Sequence, residues 1–303
     1  MTPGNVPLPN DVQILCHSRN FLSGIQKKEY NAPMPSNHNL TPFLTAIYET
    51  YGYDYRDYHP KHIERGINQF IHQLGIADVG ALQKKLVADP VLMRQFVIAL
   101  SIPTTELFRH PSFFLAFRQK VIPYLATYPF IRIWHAGCAT GQEVYSMAIL
   151  LAETGLYKRS RLYATDINEE ALATAREGIY PIVGIQDATR NYMAAGGDHS
   201  FSTYYTASHQ QAVLLPSLKQ NITFAVHNLV TDTSFNEFHV IICRNTLIYF
   251  DRILSERVHN LFYESLIHLG FLGLGDAETI RFTPHEKGYQ AVDDRERIYQ
   301  RKE

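Results

Sequence analysis

The stretch IWHAGCATGQEVYSMAI (133–149) gathers a histidine, a cysteine, a threonine, a glutamate and two glycines between an apolar run and a run of helical periodicity. Three chemistries compete for it: a phosphate cradle, a cysteine nucleophile, or a loop around a nucleoside that carries no phosphate. A P-loop needs G-x-x-x-x-G-K-[ST] and a dinucleotide fingerprint needs G-x-G-x-x-G. Here Gly137 and Gly141 are spaced G-x-x-x-G and no lysine follows. Glu143, in the first helical turn, would repel a pyrophosphate and favours a ligand offering a cation or hydroxyls. A nucleophilic Cys138 needs a base. His135 stands three residues upstream with no third, orienting group, so Cys138 reads better as a small buried residue under the loop and His135 as a strand-end hydrogen-bonding residue.

The third chemistry fits best. S-adenosylmethionine has no phosphate, but carries a sulfonium, an ammonium group and a ribose diol. An acid after the second strand of an open α/β sheet accepts hydrogen bonds from both ribose hydroxyls. RLYATDINEEALATA supplies Asp166 at such a strand end. A plain turn or capping aspartate is the competing reading of Asp166 alone; the glycine loop upstream favours the ligand role. Asn168 is a good N-cap, with Glu169 and Glu170 in the first turn of the helix it opens.

These residues need elements to position them. The apolar character of 131–134 predicts a buried strand, and Val144, Met147, Ala148 and Leu151 give the stripe of the helix behind it. Further β-rich runs at 161–165, 222–226, 238–243 and 271–274 alternate with helical segments, which predicts a mostly parallel sheet covered on both faces. Ligands of such sheets lie beyond the carboxyl ends of the strands, where the Gly137–Gly141 turn falls. YQAVDDRERIYQRKE predicts two short strands around a tight turn at a sheet edge. Residues 182–217 interrupt the alternation with turn-rich sequence and read as a small inserted hairpin subdomain. Upstream, 41–100 is helical by its periodicity, with breaks at Gly52, Gly75 and Asp89-Pro90. Residues 1–40 read as a loosely ordered arm with one short helix near 12–22, and 101–129 as a linker and the first helix of the sheet domain, which then runs from 130 to 303.

Composition excludes several classes. With 303 residues, 46% hydrophobic and 19% charged, the chain has an ordinary globular balance. A net charge of −1 leaves no nucleic-acid footprint. Three cysteines make no disulfide framework. The first residues show no signal-peptide pattern, and no apolar run approaches the roughly 18–20 residues of a membrane span. Both point to the cytoplasm, without direct membrane insertion. The 14 histidines show no H-E-x-x-H or Cys/His pairing, so no metal is expected.

Four segments, TTELFRHPSFF, HAGCATGQEVYSMA, YATDINEEALATAREGIY and IICRNTLIYF, together resemble the chemotaxis receptor methyltransferases of the CheR family. The resemblance implies a Rossmann-like class I methyltransferase sheet with an all-helical N-terminal domain and a small inserted β subdomain. It implies a protein-glutamate O-methyltransferase that uses S-adenosylmethionine, leaves S-adenosylhomocysteine, and forms methyl esters on the cytoplasmic helices of chemoreceptors. Carried across by position, Thr105 and Arg109 resemble the residues gripping the methionyl end of the cofactor. Glu143 matches the acid at its ammonium and Asp166 the ribose ligand; Asn228 and Leu229 match the pair beside adenine. Arg244 and Asn245 match the pair after the next strand, and Tyr249 the tyrosine close to the methyl group. Gly137 and Gly141 shape the cofactor loop, and Arg109 and Tyr249 are the expected catalytic residues. The chain departs from the family pattern at Gly66, Pro103, Leu107, His110, Gln142 and Asp276. The resemblance also implies that the 182–217 insert docks a receptor tail peptide by strand addition in some relatives. The alternatives are a methyltransferase of another protein or a small molecule, and a non-catalytic cofactor-binding relative.

Overall fold

The computed structural model describes residues 40–101 and 105–302. Apart from Leu40, the arm expected over 1–40, its helix near 12–22 included, lies outside them, as does Pro103.

Four helices come first: α1 (Thr41–Tyr51), α2 (Pro60–Leu74), α3 (Val79–Ala88) and α4 (Pro90–Leu100). Their ends follow from local chemistry. The Asp78 carboxylate accepts from Ala81 N at 2.8 Å, and the Asp89 carboxylate accepts from Val91 N at 2.8 Å. Each satisfies a donor that the first turn leaves unpaired. Pro90 and Pro60 open α4 and α2, where a missing N–H costs nothing. On α2 the residues Ile63, Ile67 and Phe70 form one buried stripe, packed with Ile47, Leu82, Leu86 and Phe96 of the other helices. Each such burial is worth about 1.5–3 kcal/mol. Phe96 meets Phe43 and Phe70 edge-on at 5.9 and 5.3 Å between ring centres. A Cβ added at Gly66 would stand 2.3 Å from Leu100 Cδ2. Glycine at this position thus accommodates the close approach of α2 and α4.

The rest runs α5 (Pro111–Lys120), α6 (Ile122–Leu125), β1 (Ile131–Ala136), α7 (Gln142–Glu153), β2 (Ser160–Asp166), α8 (Glu169–Glu177), β3 (Ile179–Pro181) and α9 (Ile185–Ala194). It continues through β4 (Tyr205–Ser208), β5 (Gln211–Leu214), β6 (Ile222–Val226), β7 (Phe238–Cys243), α10 (Arg252–Ser265), β8 (Leu266–Leu274), β9 (Tyr289–Asp293) and β10 (Ile298–Arg301). Seven strands form one sheet in the order β6-β2-β1-β7-β8-β10-β9. The first five are parallel, and β10 and β9 are antiparallel additions at one edge. β7, FHVIIC, is buried along its whole length, as a parallel strand covered on both faces must be. Trp134 of β1 is fully buried among Phe238, Phe262 and Leu272, and its indole N–H donates to Thr165 Oγ1 at 2.8 Å. From β1 the chain order runs to β2 and β6 on one side and to β7 and β8 on the other. The switch point, and with it the crevice for a ligand, therefore lies at the carboxyl ends of β1 and β7.

Two elements differ from expectation. Residues 182–217 do contain a hairpin, β4–β5, but also the helix α9, and the small sheet is completed by β3, which precedes 182. The buried face of α9, Ile185, Ala188 and Tyr192, is too sparse to stand out from its polar neighbours. β8 begins at Leu266 rather than 271, because His268 and Leu269 are exposed and hide its start. Among the described residues no helix is long and apolar enough to cross a membrane.

Burial also sets a pH response. His259 on α10 is 1% exposed, and burial pushes its imidazole down to about 4. The unfolded chain binds that proton near pH 6.5 and the folded chain does not. Stability therefore falls as pH drops from about 6.5 to 4, by about 1.4 kcal/mol per pH unit at the steepest. Denaturant unfolding across this range should show the slope in the wild type and its loss in His259→Leu; equal slopes would refute the assignment.

Candidate functional site

The loop after β1 runs through left-handed backbone, which favours glycine. Gly137, Ala139 and Gly141 all have positive φ, at 75°, 48° and 90°. A Cβ on Gly137 would lie 2.4 Å from Thr246 Oγ1, so the loops after β1 and β7 meet there. Gly137 N and Cys138 N donate to Thr165 O at 2.8 and 2.9 Å. Asp166, at the end of β2, then ties the turn: one carboxylate oxygen accepts from Ala139 N at 2.8 Å and the other from Asn168 N at 2.9 Å. A carboxylate has about four acceptor positions, so Asp166 keeps capacity for a further donor. Burial raises the Asp166 pKa, and these backbone donors work against that rise. Asn168 caps α8 as its sequence predicts, accepting from Glu170 N and Ala171 N at 3.0 Å each.

A buried charge cluster sits beside this loop. Glu143, in the first turn of α7, is 3.0 Å from His135 Nδ1 and 3.1 Å from Arg244 Nη1. Arg244 also donates to Arg109 O at 3.2 Å, and its guanidinium lies 4.2 Å from the centre of the Phe113 ring. Burial pushes the Glu143 pKa up, but the bond to His135 and the Arg244 charge outweigh it, and the carboxyl lies below its ordinary range. His135 is thus the partner of Glu143 and not a base for Cys138. Burial raises the Cys138 thiol well above its usual pKa. A neutral, buried thiol is a poor nucleophile, so Cys138 is a packing residue of the loop.

The crevice is open to solvent and holds a cavity of about 140 Å³. Thr105, Arg109, Gly137, Glu143 and Asp166 line it, as do Asn228, Leu229, Arg244, Asn245 and Tyr249. Eleven positions were expected at the site, and Gly141 alone is not among the lining residues. A Cβ on Gly141 would stand 2.8 Å from Ala175 Cβ, so this glycine serves the approach of α7 to α8. Asn228 holds its own turn: its Oδ1 accepts from Val230 N at 3.0 Å and its N donates to Asp232 at 2.8 Å.

One wall was not expected. Tyr55, Tyr58, His62, Val97, Leu100 and Ser101, all from the helical part, also line the crevice. Tyr58 bridges to Phe250, and His59 N donates to Tyr249 O at 2.8 Å. The His62 ring lies 4.5 Å from the Tyr249 ring, and Arg257 pairs with Asp57 at 3.1 Å. Burial, then the Arg65 charge, lowers the His62 pKa and favours the neutral ring. The dense aromatics of YGYDYRDYH were the available sequence signal, but a loop between helices carries no period that tells a site wall from a core.

Residues 103–296 match the family described as "CheR methyltransferase, SAM binding domain", and residues 38–101 that described as "CheR methyltransferase, all-alpha domain". The chain is 44% identical over 258 residues to the Pseudomonas putida protein Cher3, covering 85% of this chain and 94% of that one. It is 28% identical over 240 residues to the chemotaxis protein methyltransferase of Listeria monocytogenes, covering 78% and 88%. The corresponding protein of Salmonella typhimurium is 28% identical over 255 residues, covering 80% and 84%. The parallel sheet, the crevice at its switch point and the match of both parts of the chain lead to one assignment: this protein belongs to the CheR methyltransferase family, enzymes that use S-adenosylmethionine.

Proposed function

We propose that the protein transfers the methyl group of S-adenosylmethionine to glutamate side chains on the cytoplasmic helices of chemoreceptors. The observation that carries the reading is one crevice in which a diol acceptor, Asp166, and a buried Arg244–Glu143 pair lie among the same walls as Tyr249 and Arg109. On this reading Asp166 holds the ribose hydroxyls, and Asn228 and Leu229 flank the adenine. Thr105, Arg109, Glu143, Arg244 and Asn245 receive the amino-acid end. Relatives named chemotaxis protein methyltransferases support the choice of acceptor.

The chemistry asks little of side chains. A glutamate acceptor has a reference pKa of about 4.3 and is an anion at neutral pH. A carboxylate oxygen attacks the methyl carbon in line, the O–C bond forms as the S–C bond breaks, and the sulfonium leaves as a neutral thioether. No proton moves, so no general base is needed, in keeping with the engagement of His135 by Glu143. Rate then depends on placement, which can lower a barrier by about 7–11 kcal/mol. Arg109 and Tyr249 orient the acceptor, and the helical part, 41–100, braces Tyr249 through His59 and His62. Edge strand β4, with Thr206, Ala207 and Ser208 exposed, is the place where a receptor tail peptide would add as a strand.

Transfer of labelled methyl from the cofactor into base-labile ester on receptor-containing membranes is the expected result. Label in a base-stable product, or cofactor binding without turnover, would overturn the reading.

A further inference from the structure

Glu278 stands outside the crevice, yet its carboxylate takes four backbone N–H groups. Oε1 accepts from Thr246 N at 2.8 Å and Leu247 N at 2.7 Å; Oε2 accepts from Gly275 N at 2.6 Å and Asn245 N at 3.1 Å. Glu278 is 4% exposed. These donors belong to two different loops, the one after β7 that carries Arg244, Asn245 and Tyr249, and the one after β8. The first loop needs holding: Asn245 has a φ of 61°, a left-handed conformation that a non-glycine residue adopts at a cost. Gly275 makes room for the clamp, since a Cβ there would stand 2.7 Å from Glu278 Oε2 and 3.0 Å from Asn245 N.

We propose that Glu278 is a positioning residue for methyl transfer. Its carboxylate staples the β7 and β8 loops together and so sets where Arg244, Asn245 and Tyr249 stand. Only a carboxylate offers two acceptor oxygens to four converging donors; glutamine would turn an NH2 group towards two of them, and the shorter aspartate would fall short of the β7 loop. The inference rests on the reading of Arg244, Asn245 and Tyr249 as residues of the transfer site.

The test is Glu278→Gln in the full chain. A misplacement of about 1 Å can cost about 100-fold in rate, so kcat for receptor methylation should fall by about 10- to 100-fold. Affinity for S-adenosylhomocysteine should fall by a smaller factor than kcat, because Asp166 and Asn228 keep their places while only Arg244 and Asn245 shift at its amino-acid end. Hydrogen exchange should speed at the amides of Asn245, Thr246, Leu247 and Gly275, while β7 and β8 keep their protection. Should Glu278→Gln not yield folded protein, Gly275→Ala displaces the same carboxylate and should give the same split. Unchanged kcat, unchanged exchange at the four amides, or protection lost across the whole sheet with kcat and affinity falling together would overturn the clamp. Failure of the wild type to methylate receptors would overturn the proposed function instead, and the exchange measurement would still decide whether the staple exists.

Discussion

Replacing Asp166 with alanine is expected to weaken binding of S-adenosylhomocysteine by about 10- to 150-fold, the loss that follows when a charged acceptor contributing about 1.5–3 kcal/mol is removed. Two effects add. On the proposed reading the diol loses its acceptor. The Ala139 and Asn168 amides also lose the partner that holds the loop after β1 against the end of β2. Asp166→Asn separates them: its amide oxygen can keep one loop amide, while its NH2 opposes the other, so an intermediate affinity is expected. Titration calorimetry reads both variants. Wild-type affinity in Asp166→Ala would remove the ribose from this position, and with it the placement of the cofactor.

Arg244→Leu should destabilise the fold more than any other change in the crevice. The Arg244 side chain is 3% exposed and pairs with Glu143, which is 16% exposed at the crevice wall. Removing one member of a buried ion pair costs about 3–5 kcal/mol, because the survivor is stranded as an uncompensated charge. His135 alone would remain beside Glu143. At about 2–4 °C per kcal/mol for a chain of this size, the melting temperature should drop by roughly 10 °C. The sign with pH is specific. Glu143 ionises more readily in the folded protein, so its contribution is present above the ordinary glutamate range and is lost as pH falls through its depressed pKa. In Arg244→Leu only His135 still lowers the Glu143 pKa, so that loss shrinks and acid should cost the variant less than the wild type. The double variant Arg244→Leu, Glu143→Gln should recover much of the stability and none of the turnover. A single variant that melts with the wild type would show that the pair carries no weight.

Much of this site was legible as spacing. G-x-x-x-G without a lysine excluded phosphate, and Asp166 after a second strand pointed to a diol. The five parallel strands were visible as short β-rich runs, of which FHVIIC, buried along its whole length, is the clearest. The place of Gly141 was not legible for a physical reason: a glycine that admits a ligand and one that admits a neighbouring helix look alike until Ala175 is placed beside it. Cys138 likewise could be a nucleophile or a packing residue until burial and the engagement of His135 decided it.

The chain by itself determined most of the elements, the switch-point loop and the acids at the strand ends, since these depend on residues near one another in sequence. Only the tertiary structure brought Tyr58 against Phe250, His62 against Tyr249, Arg244 to Glu143, and Glu278 beneath Asn245–Leu247. Each of those contacts joins segments distant in the chain, and a hydrogen bond or ring contact between them leaves no periodic trace. Periodicity records which face of an element is buried; it does not record what buries it.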